Sequence, residues 1–129
     1  MIELVDLRYV HLGASDALEA SQWAQEIYGL EEVDQENGRI YLRGDDRNHN
    51  ICYFNGDPKD NTVGIEVRDF DALEQATAQL TANGVEVEIG DEEGAAVRRC
   101  MKFTSFRDPT GNKFDLVVRP FDSGRRYFP

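Results

Sequence analysis

Two histidines, His11 and His49, and two cysteines, Cys52 and Cys100, are the side chains of this chain best suited to metal binding or nucleophilic catalysis. The cysteines lack the C-x-x-C spacing of zinc and redox sites, and each lies in an apolar segment, so we expect buried, reduced thiols. His11 lies in a short bulky segment typical of a strand, where a lone histidine is more often a hydrogen-bonded residue than a ligand. His49 lies in a polar turn, where we expect a solvated side chain.

Two acidic clusters could supply oxygen ligands to a hard cation, Asp45-Asp46 and Asp91-Glu92-Glu93. The first cluster lies in a polar turn between two predicted strands, and the second in a glycine-flanked segment, 90–95. Acidic residues in such places are usually solvated. We therefore interpret the first cluster as a turn and the second as a charged loop.

The charge of the chain limits the partners that it can have. Its 129 residues include 25 acidic and 14 basic ones, a formal net charge of −11, which disfavours binding to nucleic acid or to an anionic membrane. The basic pairs, Arg98-Arg99 and Arg125-Arg126, are short and lack interleaved aromatic residues. No apolar run approaches the ~20 residues that cross a bilayer, and the acidic N-terminus is unlike a signal peptide. We expect a cytoplasmic protein.

The first half of the chain reads as strand, helix and three strands. Residues 7–12 predict a strand, Ser15 or Asp16 caps a helix, and Gly29 ends it. Leu18, the Trp23 region and Ile27 recur at helical spacing and predict its apolar face. Asn37-Gly38 predicts a hairpin between strands 31–36 and 39–43, and residues 50–54 a fourth strand.

The second half repeats this plan after the linker 55–61. Residues 62–67 predict a strand, Asp69 or Asp71 caps a helix that ends at Gly84, and strands follow at 85–89, 99–105 and 113–118. The tetrapeptide D-A-L-E occurs at 16–19 and again at 71–74, near the start of each helix. The halves therefore predict two tandem βαβββ modules, about 5–55 and 61–118, in a single domain, 1–120. Residues 120–129 are a tail or the start of a linker.

Several motifs then resemble those of the vicinal oxygen chelate superfamily, which includes glyoxalases, bleomycin-resistance proteins and extradiol dioxygenases. They are F-R-D-P-T-G-N-K-F-D-L at 106–116, I-E-V-R-D-F-D at 65–71 and Y-G-L-E at 28–31. The resemblance implies an α+β fold whose two modules form a curved mixed β-sheet with helices on the outside. It also implies a cleft in which strand residues hold a divalent metal.

The metal-ligand positions that the resemblance implies hold weak ligands in this chain. They fall on Tyr9, Thr62 and Asp115, and a phenol and a hydroxyl are poor ligands for ferrous iron. A second set, His11, Glu66 and Asp115, keeps the strand faces, because a slip of two residues along a strand preserves the face. We expect no catalytic, cofactor-binding or metal-binding residue in this chain, and regard the second set as the alternative.

The motif L-R-Y-V at 7–10, with tyrosine in place of histidine, resembles the non-catalytic N-terminal domain of an extradiol dioxygenase that acts on catechols or dihydroxybiphenyls. The tail 119–129 resembles the linker to the catalytic domain. This resemblance implies Fe(II), or Mn(II), in a second domain. The partner would be that catalytic domain or a second copy of the chain, with a small aromatic ligand as a further possibility.

Two other functions stay open. One is a free-standing homodimeric protein that binds small molecules and confers resistance, and the other is a small metal-dependent enzyme of the glyoxalase type. We expect the aromatic residues to pack the strands against the helices, although some could line a ligand pocket instead; they are Trp23, Tyr53, Phe54, Phe103, Phe106 and Phe114.

Overall fold

The computed structural model describes residues 1–128, so that Pro129, the last residue of the predicted tail, lies outside the described part. It contains three helices and eight strands, and none of the helices is long and apolar enough to span a membrane. The elements are β1 (Asp6–Ala14), α1 (Ala17–Tyr28), β2 (Glu31–Glu36), β3 (Arg39–Arg43), β4 (Ile51–Asn55), β5 (Asn61–Glu66), α2 (Phe70–Ala82), β6 (Val87–Ile89), α3 (Glu92–Arg98), β7 (Cys100–Arg107) and β8 (Lys113–Pro120).

The chain divides into two compact units, each of which takes one terminus from the other half of the sequence. The first unit contains residues 9–61 and 122–128, and the second contains residues 1–8 and 62–121. In both units parallel and antiparallel pairs occur in one sheet, and a helix packs on it. The predicted α+β class is therefore confirmed, whereas the single-domain organisation stays a prediction.

The sheet of the first unit has the order β2-β3-β4-β1. β1 pairs with β4 in parallel, because α1 and the hairpin lie between them in sequence, and the other two pairs are antiparallel. Asn37 and Gly38 form the predicted hairpin turn, with φ values of 51° and 76°. The predicted bounds of both hairpin strands are confirmed.

α1 begins and ends where its capping residues predict. The Asp16 carboxylate accepts a hydrogen bond from the Glu19 amide at 3.1 Å, which satisfies one of the free N–H groups of the first turn. Gly29 follows the helix with φ 73°, the left-handed conformation that glycine adopts without strain. Side-chain capping and a glycine stop therefore fix the length of this helix.

The predicted apolar face of α1 is wrong. Leu18, Trp23 and Ile27 are exposed, and the half-exposed Trp23 ring meets Tyr28 edge-on at a centroid distance of 4.9 Å. The buried face instead carries small residues, Ala17 and Ala24, which lie in a core cluster with Ile40 and Leu42 of β3. Small side chains permit close approach of α1 to the sheet. The larger apolar residues of α1 lie on its solvent-facing side.

The sheet of the second unit has the order β5-β8-β7-β6. β5 pairs with β8 in parallel, and the remaining pairs are antiparallel. The first residues of the chain join this unit: the Val5 amide donates to the Glu66 carbonyl at 2.9 Å. The core lies between the sheet and α2 and contains Val67, Leu73, Ala76, Leu116 and Val118.

Asp69 caps α2, which decides between the two predicted caps. Its carboxylate accepts from the Ala72 amide at 2.8 Å, and Asp71 lies inside the first turn. The second D-A-L-E therefore starts two residues beyond the cap, whereas the first starts at the cap itself. The modules are equivalent in their elements, but the two tetrapeptides are not equivalent positions.

The acidic segment 90–95 was predicted as a loop, and this prediction is wrong. Glu92–Arg98 forms α3, with Asp91 as its cap accepting from the Gly94 amide at 2.7 Å. Two glycines in this short segment indicated a loop, but both have a packing role. A Cβ on Gly90 or on Gly94 would overlap the ring of Phe103.

Candidate functional site

Tyr9 and His11 lie on one buried face of β1, as the alternation along the strand predicts. His11 is beside Cys52 of β4, and Cys52 is beside Tyr41 of β3. Since Ile40 and Leu42 face α1, the row formed by these three residues lies on the other face of the sheet. The candidate ligand His11 is therefore part of a buried row in the first unit.

His49 was predicted to be a solvated loop residue, and this prediction is wrong. Only 4% of its surface is exposed, and its Nε2 lies 2.9 Å from Nε2 of His11. Its Nδ1 lies 3.0 Å from the side-chain oxygen of Asn48. One of the two Nε2 atoms donates a hydrogen bond to the other, so the two rings form a buried hydrogen-bonded pair.

Two tyrosines pack around this histidine pair. The ring centroid of Tyr9 lies 4.5 Å from that of His11 and 5.4 Å from that of His49. Tyr41 meets the His49 ring edge-on at 4.9 Å. Two strands and a loop contribute these rings, so local spacing in the sequence gave no signal of the cluster.

Asp115 on β8 is completely buried in the second unit, and both of its carboxylate oxygens are engaged. Arg98 Nε donates to Oδ2 at 2.7 Å, and the Ser105 hydroxyl donates to Oδ1. An arginine beside a buried carboxylate neutralises its charge and supplies its hydrogen bonds. The acid at the family position therefore already has a cation.

α3 positions Arg98 for this contact. The guanidinium donates through Nη1 to the carbonyl of Gly94 at 3.1 Å and lies 3.8 Å from the centroid of the Phe103 ring. Sequence reasoning missed Arg98 because the residue belonged to a short basic pair next to a predicted loop. The helix, rather than the spacing, brings it to Asp115.

The other candidate ligands of the second unit lie on β5. Thr62 and Glu66 occupy the same strand, and Gly64 between them pairs with Asp115. Glu66 forms an ion pair with Arg8, with an N···O distance of 3.7 Å. Neither residue is a histidine, so neither supplies the imidazole ligand that ferrous iron prefers.

These donors do not fit a divalent metal of the kind that the resemblance implies. Asp115 is held by an arginine, Glu66 pairs with another, and His11 is bonded to His49. Within residues 1–128, no group of three or more histidine, cysteine or acidic side chains is arranged to hold a metal ion. That the chain contains no metal site stays a prediction.

Both cysteines are buried free thiols, as predicted. Burial raises the pKa of Cys100 to about 12; the nearby Asp115 also raises it, and Arg98 opposes the shift. A thiol with such a pKa is protonated at neutral pH, and the thiolate is the nucleophilic form. Cys100 is therefore a packing residue.

Each unit has an open surface groove with aromatic residues in its wall. The groove of the first unit has a volume of about 430 Å³ and is lined in part by Trp23, Tyr53 and Pro58. Burial raises the pKa of Tyr53, and Tyr28 raises it further. The groove of the second unit, about 690 Å³, is lined in part by Phe106 and Arg107. Some aromatics thus line grooves rather than the core.

Comparison of the sequence with models of protein families identifies the superfamily of this chain. The model of the Glyoxalase/Bleomycin resistance protein/Dioxygenase superfamily matches residues 7–116. The chain belongs to this superfamily. The resemblance carried by the three sequence motifs is thereby confirmed.

Relatives within the superfamily are extradiol dioxygenases. The chain is 30% identical over 132 residues to biphenyl-2,3-diol 1,2-dioxygenase of Sphingomonas paucimobilis, with all of this chain and 44% of that protein covered. It matches the crystal structure of a catechol 2,3-dioxygenase with a TM-score of 0.87 and 29% identity, over 98% of this chain and 46% of that one. The chain thus spans about half the length of these relatives.

A third comparison agrees with them. The 2,2',3-trihydroxybiphenyl 1,2-dioxygenase of Sphingomonas wittichii strain RW1 matches with a TM-score of 0.76 and 25% identity, over 98% of this chain and 43% of that one. Superfamily domains of the extradiol dioxygenase type therefore share both fold and detectable sequence similarity with this chain.

Proposed function

We propose that this chain is the N-terminal, non-catalytic domain of an extradiol ring-cleaving dioxygenase that acts on catechols or dihydroxybiphenyls. Its similarity to dioxygenases about twice its length supports a domain of a larger enzyme. The observation that carries the non-catalytic role is the Asp115 carboxylate, which Arg98 and Ser105 already occupy. An acid in that state offers no open oxygen to a metal.

In this proposal the domain has a structural task. The metal, Fe(II) or Mn(II), is held by a second domain, which is its partner within the same polypeptide. A second copy of the chain is the alternative partner, and a small aromatic compound the candidate ligand. We place the enzyme in the cytoplasm, since the composition of the chain carries no sign of export.

The second candidate function is a homodimeric small-molecule-binding protein of the resistance type. The groove that Trp23 and Tyr53 line, with Asp16 and Glu19 at its edge, favours it. A small metal-dependent enzyme of the glyoxalase type has less support, because His11, Glu66 and Asp115 are each bonded to a neighbouring side chain.

Metal analysis and activity of the chain test these functions. The chain is purified from medium supplied with iron and manganese, and its metal content and cleavage of catechol are measured. We expect less than about a tenth of an equivalent of metal and no ring cleavage. One equivalent of bound metal would overturn the proposal in favour of the glyoxalase type, and ring cleavage by the chain alone would overturn the non-catalytic role. Dimerisation with saturable uptake of an aromatic compound would favour the resistance type.

The full-length enzyme gives an independent test. His11→Ala in that enzyme should leave kcat/KM for its catechol substrate within a few-fold of the unchanged enzyme, because no ligand is removed. Replacing one carboxylate of the second domain's metal site is the positive control. A loss of about 10³ for His11→Ala, the scale of removing a catalytic group, contradicts the proposal.

A further inference from the structure

The dipeptide Asn-Gly occurs three times in this chain, at 37–38, 55–56 and 83–84. Asparagine before glycine is open to attack on its side chain by the next backbone nitrogen, because glycine has no Cβ to shield that nitrogen or to restrict the backbone. The structure describes all three pairs. They differ in the hydrogen bonds made by the asparagine side chain and by the glycine amide.

Asn55, the last residue of β4, is held through both reacting groups of its pair. Its side-chain oxygen accepts from the amide of Ala17, the first residue of α1, at 2.8 Å. The Gly56 amide donates to the carbonyl of Ala14, the last residue of β1, at 2.9 Å. Attack of this nitrogen on the Asn55 side chain therefore requires two hydrogen bonds to break.

Asn83 is held in a similar way at the end of α2. Its Nδ2 donates to the Gln79 carbonyl at 2.7 Å, and the Gly84 amide donates to the Thr81 carbonyl at 3.0 Å. These bonds satisfy carbonyl groups of the last helical turn. The two reacting groups of this pair are again engaged in the fold.

Asn37 and Gly38 form the two-residue turn between β2 and β3, and both are exposed. The strands pair as far as Glu36 and Arg39, which flank the turn. Within residues 1–128, neither the Asn37 side chain nor the Gly38 amide makes a hydrogen bond. Rotation about the Cα–C bond of Asn37, which turns the Gly38 nitrogen towards Cγ, therefore breaks no hydrogen bond of either group.

We propose that Asn37-Gly38 is a site of spontaneous deamidation, and that the fold protects the other two Asn-Gly pairs. The three pairs share the dipeptide that reacts, so their different reactivity follows from the free energy needed to release the reacting groups. This free energy is lowest at an exposed turn and higher where hydrogen bonds of a strand or a helix end must open. The hairpin turn is therefore the modified position.

The reaction needs only water. The Gly38 nitrogen gives its proton to water or hydroxide and attacks Cγ of Asn37, which forms an N–Cγ bond and closes a succinimide ring. The Cγ–Nδ2 bond breaks, and Nδ2 leaves as ammonia. Water then opens the ring at either carbonyl, which gives aspartate at position 37 or isoaspartate, whose main chain runs through Cγ. No group is oxidised or reduced.

The products change the edge of the sheet in the first unit. Both add a negative charge next to Glu36, and isoaspartate also adds a methylene group to the main chain of the turn. Loop length and turn type fix the register of a hairpin, so the longer turn weakens the pairing of Glu36 with Arg39. β2 is the outermost strand in the order β2-β3-β4-β1. Its attachment to the sheet is therefore the contact that the modification weakens.

Peptide mapping by mass spectrometry tests the proposal. The folded chain is kept at pH 8 below its melting temperature, and samples are digested over time. Conversion at each pair is measured from the mass of its peptide and from the separate elution of aspartyl and isoaspartyl forms. We expect Asn37 to convert about tenfold or more faster than Asn55 and Asn83, because the latter two react only after local opening. Conversion of Asn55 or Asn83 as fast as that of Asn37 would overturn the proposal.

The same chain unfolded in urea separates the effect of the fold from that of the sequence. All three pairs then lose their hydrogen bonds, so their rates should agree within a few-fold. Asn37 that converts in urea but stays intact in the folded chain would overturn the proposal. An equal ratio of rates in both conditions would also overturn it, since neighbouring residues would then explain the difference.

Two variants identify the reacting side chain. Asn37→Gln should remove the modified form of the 37–38 peptide, because the longer side chain cannot close the same ring. Asn83→Gln is the matched control and should leave conversion at Asn37 unchanged. A 37–38 peptide that is still modified at the original rate in Asn37→Gln would contradict attack on the Asn37 side chain.

Discussion

Equivalent positions in the sheets of the two units hold different kinds of polar side chain. His11 lies five residues before the cap of α1, and Gly64 lies five residues before the cap of α2. Each pairs with one residue of a parallel strand and, beyond it, one of an antiparallel strand. The row of the first unit is His11, Cys52, Tyr41, and the row of the second is Gly64, Asp115, Ser105.

The first row belongs to a cluster of aromatic rings around a histidine pair, and the second contains a buried ion pair. The imidazole of His11 forms a hydrogen bond with His49, which lies in the loop between β3 and β4. The carboxylate of Asp115 accepts from the guanidinium of Arg98 at the end of α3, and the described residues of the first unit form no helix equivalent to α3. Each unit therefore satisfies its buried polar group internally. The two units therefore satisfy the polar groups at equivalent positions in different ways.

Arg98→Ala is expected to have the largest effect, because it leaves the fully buried Asp115 carboxylate without its cation. Breaking a buried ion pair by removing one partner costs about 3–5 kcal/mol. Urea denaturation measures the change in the free energy of unfolding.

Arg68→Ala is the matched control. The Arg68 side chain is 70% exposed and pairs with Glu3 and Asp69 at the surface, so its loss should cost less than about 1 kcal/mol. Equal effects of the two variants would contradict the assignment of a buried ion pair to the second unit.

His49→Ala should cost less than Arg98→Ala, because it removes one hydrogen bond between two rings and leaves no buried carboxylate without its cation. The His11 ring loses its hydrogen bond to His49, a penalty of about 1–3 kcal/mol. The same denaturation series measures it, and His11→Ala with the double variant completes a cycle. Strictly additive losses would mean that the two rings are not coupled, which would contradict a hydrogen-bonded histidine pair in the first unit.

Gly111→Val tests the turn before β8 in the second unit. Gly111 has φ 93°, as the turn prediction required, and a β-branched residue there should cost about 1–2 kcal/mol. Thermal melting measures the loss. Gly38→Val is the counterpart in the hairpin of the first unit, with φ 76°. Melting temperatures equal to that of the unchanged chain would show that neither turn needs glycine.

Local signals in the sequence predicted much of the fold. The caps of α1, the hairpin at Asn37-Gly38 and the positive φ of Gly111 follow from the conformational limits of single residues. Such limits act over a few residues, so they can be recognised in one sequence. The bounds of β2 and β3 were predicted correctly for the same reason.

The candidate site could not be predicted in the same way. His49 contacts a residue 38 positions away, and Arg98 contacts one 17 positions away. Both lie in segments whose polar composition indicated solvent exposure. Burial of a polar residue depends on a partner that the fold brings near it. The sequence of the turn around His49 and that of the acidic segment before Arg98 do not indicate which distant residue this partner is.

The smallest effect is expected for Ile27→Ala on the outer face of α1. Helical spacing placed Ile27 in the core, but it is 62% exposed, and substitutions at such positions usually change stability by less than about 0.5 kcal/mol. Leu73→Ala in α2 is the matched variant of the second unit, where the side chain lies in the core and its loss should cost about 2–5 kcal/mol. Denaturation at two protein concentrations tests whether a second copy of the chain covers Ile27. A loss above 1 kcal/mol for Ile27→Ala that grows with concentration would mean that a second copy covers this face, and the exposed side chains of α1 would then be interface residues.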